Sequence, residues 1–163
     1  MFSIGDKIVY PLHGAGIIEE IREMEILGNL RTYYVMHVGK GMTVMIPAED
    51  TASLGVRTVC SAEHAMQALS CIGQADLEYN NNWNRRYREN IDRLRGGKME
   101  DTALIIKSLY DRQHKKGLST GEKKMLTSAT QILVSELALA KEIPYEEAEQ
   151  LLLDALDKAL ELA

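Results

Sequence analysis

The chain has 163 residues, 45% of them hydrophobic, and a formal net charge of -5, which suits one medium domain or two small ones built around ordinary cores. No signal or transit segment is legible and no apolar run reaches the ~20 residues of a membrane-spanning helix, so a cytoplasmic protein without a membrane partner is expected. Cys60 and Cys71 have no paired cysteine or histidine motif around them, which argues against a disulfide framework or zinc site and leaves both as small buried hydrophobes.

The first fifty residues, rich in Ile, Val, Tyr and Met, read as strands at 7–10, 15–26, 31–38 and 42–47. Gly28-Asn29 supplies a tight connection between the second and third, and residues 39–41 another between the third and fourth, so a compact antiparallel sheet or small barrel follows. Period-two alternation on the fourth strand groups Met42, Val44 and Ile46 on one face and Thr43 and Met45 on the other. With the first set as core, Met45 is left outside.

From residue 61 the period becomes helical, with segments at 61–72, 83–95, 99–116, 119–141 and 145–162. Gly73, Gly96-Gly97 and Gly117 end helices and Pro144 opens the last. Ser119 and Glu122 have capping-box spacing, after which Met125, Ala129, Ile132, Leu133 and Leu137 recur on one face as core. The pattern is α+β: a β domain over residues 1–55 and a helical domain over 56–163.

Enzyme chemistry is poorly provided for. His13, His37, His64 and His114 show no metal-ligand spacing. The run His13-Gly14-Ala15-Gly16 superficially resembles an oxyanion-hole loop, but no Gly-x-Ser-x-Gly elbow accompanies it and a turn between strands explains the glycines better. No P-loop or dinucleotide fingerprint occurs, so no catalytic residue, metal or cofactor is expected.

The acidic average hides an asymmetry. Residues 83–125 carry twelve basic and six acidic side chains, a net of +6, between an N-terminal segment at -5 and a C-terminal one at -6. A local basic patch of this kind can hold phosphate while the acidic ends limit indiscriminate binding. Within it lies Asn80-Asn81-Asn82-Trp83-Asn84-Arg85-Arg86-Tyr87-Arg88, which contains the only tryptophan. An indole can insert at a base step, arginines can neutralise flanking phosphates, and asparagine can bond base edges. The plainer alternative is a core tryptophan at a helix start with its arginines solvated. Asn82 is well placed as N-cap of that helix, and the helix opening after Ser119 could hold a phosphate on its first amides with Lys123 or Lys124 alongside.

Gly5-Asp6, Val9-Tyr10-Pro11-Leu12-His13-Gly14 and Val44-Met45-Ile46-Pro47-Ala48-Glu49 resemble the polymerase-interacting domain of the CarD/CdnL bacterial transcription regulators, a domain shared with transcription-repair coupling factors. Asn82-Trp83-Asn84-Arg85-Arg86-Tyr87, residues 117–126 and residues 131–138 are similar to the helical half of the CarD branch. The resemblance implies a Tudor-like barrel that binds the RNA polymerase β subunit within the holoenzyme. It also implies a helical domain that meets promoter DNA in the minor groove at the upstream fork of the bubble. Trp83 would be the wedge, with Arg85, Arg86, Arg88 and Lys123 as the matching basic neighbours; the residue pattern itself adds Asn82 and Lys124 to the expected DNA-binding set. Met24, Ile26, Met45 and Pro47 would face polymerase. Members with arginine at the positions of Met24 and Met45 differ from this chain, whose contact would rest on apolar and sheet-edge groups. The rival readings are an RNA-binding or ribosome-associated module and, more distantly, a phosphoesterase.

Overall fold

A computed structural model describes residues 1–39, 41–73 and 82–161. Asn80, Asn81 and Lys40, at the centre of the expected 39–41 turn, lie outside the described residues, as does residue 162 of the last expected helix.

Strands β1 (Lys7–Tyr10), β2 (Gly14–Ile26), β3 (Asn29–Val38), β4 (Met42–Pro47) and the two-residue β5 (Arg57–Thr58) form one antiparallel sheet in the order β4-β3-β2-β1-β5. The edges are β4 and β5, so among the described residues the ladder is an open antiparallel sheet; of the expected sheet or small barrel, the pairing shows the sheet and no closure. β5 pairs through Thr58 and Arg57 with Ile8 and Val9 of β1, and among the described residues β4 pairs with β3 alone. The sheet also continues past residue 55, where the sequence placed the end of the β domain.

The β2–β3 hairpin turns at Leu27-Gly28, one residue earlier than expected. Ile26 pairs with Asn29 across a two-residue loop whose residues both have positive φ, 54° at Leu27 and 80° at Gly28. A right-twisted hairpin favours this primed turn. Register decides the position: a one-residue slip would turn Tyr34, Met36 and Val38 away from the sheet core they share with Ile8, Ile18, Val44 and Ile46. Met42 lies in phase with Val44 and Ile46 but at the strand's start, and it is 59% exposed rather than part of that core.

Among the described residues five helices follow: α1 (Ala62–Ser70), α2 (Trp83–Arg95), α3 (Met99–Lys115), α4 (Thr120–Lys141) and α5 (Tyr145–Glu161). α4 is the spine. Its expected stripe of Met125, Ala129, Ile132, Leu133 and Leu137 is buried against α1, α3, α5 and β2. The approach to β2 is close enough to require glycine at position 14, where a Cβ would stand 2.7 Å from Val38 Cγ1 and 3.1 Å from Ser135 Oγ, at a φ of 124°. The amide of Ala15 then donates to Ser135 Oγ at 2.9 Å. Close packing, not an oxyanion hole, accounts for the glycines after His13. Arg57 seals the same junction with two bonds to the Glu136 carboxylate, 2.6 and 2.8 Å, and one to the Gly97 carbonyl. The cysteines depart from expectation, since Cys60 is only half-buried and Cys71 is exposed.

Candidate nucleic-acid interface

α2 begins where the sequence placed it because Asn82 caps it: its side-chain oxygen accepts from the amides of Asn84 and Arg85 at 3.1 and 3.3 Å. With that oxygen engaged, Asn82 fixes the entry of Trp83 into the first turn. The helix sorts its residues by face. Arg86, Asn90 and Leu94, spaced by four, are buried, while Arg85 and Arg88 stay on the exposed side.

Arg86 therefore corrects an expectation. It is 5% exposed and pairs through Nε and Nη2 with both oxygens of Glu122, each at 3.1 Å, so it is not among the groups that can meet a phosphate from outside. Glu122 is itself 3% exposed. Burial of either charge alone would be strongly unfavourable, and the fork-to-carboxylate geometry resolves this by mutual neutralisation. Arg112 Nε stands 3.9 Å from the same carboxylate. The pair ties α2 to the first turn of α4.

That tie brings together two places that are far apart in sequence. Trp83 is 42% exposed, so it is not a core residue, and its indole leans on the start of α4. Nε1 donates to Ser119 Oγ at 2.8 Å, and one ring face lies over Tyr87 with centroids 5.7 Å apart and planes inclined by 22°. The same Ser119 hydroxyl accepts from the Glu122 amide, as its capping-box spacing requires, and it donates to Glu122 Oε1 at 3.2 Å. Lys123 and Lys124 follow one turn on and are exposed. Arg88, Lys123 and Lys124 make no ion pair with any described residue, and Arg85 has only an exposed i,i+4 contact with Glu89 at 3.2 Å. An exposed pair of that kind is worth about 0.3–0.5 kcal/mol and is easily exchanged for a phosphate. A half-exposed indole and four accessible cations thus share the N-terminal halves of α2 and α4.

The second set of expected residues lies on the sheet. Cross-strand pairing runs Glu20–Val35–Met45, Arg22–Tyr33–Pro47, Met24–Arg31 and Ile26–Asn29, and paired residues share a face. Met24, Ile26, Met45 and Pro47 consequently occupy one side of the sheet, opposite the side that carries Tyr34, Met36, Val44 and Ile46. Tyr33 and Val35 on β3, between β4 and β2, are buried, while Met24, Met45 and Pro47 are half-buried and Ile26 is 43% exposed. Arg31 on this face bonds Asp50 at 2.8 Å, and that bond holds the guanidinium charged above its ordinary range.

Sequence reasoning missed the Trp83–Ser119 bond and the burial of Arg86. The available signal was the spacing of Arg86, Asn90 and Leu94, which places one arginine on the only inward face α2 has. No described group of three or more His, Cys, Asp or Glu side chains could hold a metal ion. Among the described residues no helix is long and apolar enough to cross a membrane.

Both surfaces fall within regions matched by known families. The model of the CarD-like/TRCF RID domain matches residues 2–60, and that of the CarD C-terminal domain matches residues 67–153. The chain is 38% identical over 144 residues to a Bacillus subtilis (strain 168) protein named "Putative transcription factor YdeB", a match spanning 88% of this chain and 94% of that protein.

Proposed function

The chain belongs to the CarD-like family of transcription regulators, and from that premise we propose that it is a cytoplasmic, non-enzymatic factor that stabilises the open promoter complex. The outer sheet face, with Met24, Ile26, Met45 and Pro47, binds the β subunit of RNA polymerase. The α2–α4 corner meets promoter DNA from the minor-groove side at the upstream edge of the bubble, with Trp83 as wedge and Arg85, Arg88, Lys123 and Lys124 on the phosphates. The observation that carries this reading is the half-exposed Trp83 indole held by Ser119 at the junction of two helix starts that also carry those cations.

The mechanism is differential binding. Opening an intact base step for an inserted side chain costs a few kcal/mol, whereas a step already parted at the fork accepts it with less expense, so the wedge binds melted DNA better than duplex and slows collapse. The minor groove distinguishes little beyond A·T from G·C, so weak sequence preference follows. Tethering through the sheet raises the local concentration, and modest intrinsic affinity for DNA suffices.

The test compares affinities for forked promoter DNA in its polymerase complex and for single-stranded RNA alone. Tighter binding to the polymerase-bound fork, lost on Met45→Glu, is expected. Equal or tighter binding to RNA would replace the proposal with an RNA-binding or ribosome-associated module.

A further inference from the structure

We propose that Ser119 and Gly121, at the start of α4, are positioning residues that hold the Trp83 indole in one orientation before DNA arrives. This rests on the reading of Trp83 as the wedge, and it assigns the wedge's aim to residues on a different helix, thirty-six and thirty-eight positions along the chain.

Three sides of the indole are fixed. The Nε1 edge donates to Ser119 Oγ at 2.8 Å. One face is stacked on Tyr87. The benzo edge lies against Gly121, where a Cβ would stand 3.3 Å from Cζ2 and 3.9 Å from Cη2. Glycine here is not required by backbone geometry, since its φ is not in the left-handed region. A helix normally prefers alanine, so what the missing methyl provides is room for the ring. Ser119 is in turn held from below, because its hydroxyl donates to Glu122 and Glu122 is locked by Arg86. A chain of hydrogen bonds therefore runs from the buried ion pair to the exposed indole. A side chain with its rotamer fixed in advance loses less entropy when it inserts, and the lifetime of the complex is where that saving is read.

The indole reports on itself, because Trp83 is the only tryptophan. The experiment measures time-resolved fluorescence anisotropy of the full chain, and in parallel the lifetime of open complexes with polymerase holoenzyme, for wild type, Ser119→Ala, Ser119→Thr and Gly121→Ala. Ser119→Ala should widen the fast local motion of the indole and shorten the lifetime about two- to tenfold, the range of one net hydrogen bond. Ser119→Thr, which keeps the hydroxyl, should restore both readouts. Gly121→Ala should displace the ring and shorten the lifetime while its thermal melting is no lower than wild type, an effect that loss of helix capping cannot produce. Unchanged indole motion and unchanged lifetime in both Ser119→Ala and Gly121→Ala would overturn the assignment. A shortened lifetime in Ser119→Ala that Thr does not restore would overturn it too. If Trp83→Ala alone keeps the wild-type lifetime, the wedge reading fails, and the anisotropy still decides whether Ser119 and Gly121 orient the ring.

Discussion

At position 86 a charge that looks available for phosphate is committed inside the protein. Arg86→Ala would leave Glu122, 3% exposed, without its main partner, and removal of one member of such a pair costs about 3–5 kcal/mol. Urea unfolding should show that loss. Arg88→Glu and Lys123→Glu should instead leave the unfolding midpoint near wild type and reduce the slope of log affinity against log salt by about one per lost phosphate contact. A flat response of the slope would return those side chains to the role of solvated surface. The cysteines separate in the same way. Burial, and then the nearby Glu136 carboxylate, push the Cys60 thiol up to about 12, so at pH 8 it stays protonated and weakly nucleophilic. Alkylation at pH 8 followed by mass spectrometry should label the exposed Cys71 and spare Cys60.

Among elements, the β2–β3 hairpin shows what local pattern can and cannot specify. Its strands were legible because they are rich in Ile, Val, Tyr and Met, and the turn was misplaced by one residue because the Gly28-Asn29 pair offers a turn signal that register overrides. Leu27 accepts φ 54° with its side chain 97% exposed. Leu27→Asn should therefore raise stability, by up to about 1 kcal/mol, since asparagine tolerates the left-handed region better than leucine. The helix starts at Asn82 and Ser119 were equally legible, because a cap is a local signal read from one or two side chains. Barrel closure was not, since it depends on whether β5 reaches β4, and nothing within either segment records that distance. On the outer face, Met45→Glu should weaken capture of polymerase while circular dichroism stays unchanged, because Met45 points away from the core formed by Val44 and Ile46. Lost thermal stability instead would place Met45 in the core.

Across the whole molecule, α4 connects the two surfaces. Its first turn supports Trp83, while Ser135 and Glu136 in its second half fasten the sheet. A polymerase-bound sheet can direct the indole only if this junction is stiff. Arg57→Ala should cost about 2–3 kcal/mol, below the figure for a fully buried pair because Arg57 keeps 32% of its side chain exposed. The sequence offered candidate residues for both surfaces but not the connection between them, since Arg57 and Glu136 are 79 positions apart and neither carries a local signal. The central claim is that the indole itself holds the bubble open, and it is tested by the lifetime of polymerase–promoter open complexes under competitor challenge with wild type and Trp83→Ala. Stacking is worth about 1–3 kcal/mol per base, so a folded, polymerase-bound Trp83→Ala protein should shorten that lifetime roughly five- to a hundredfold. A wild-type lifetime in that same folded, polymerase-bound variant would contradict the account.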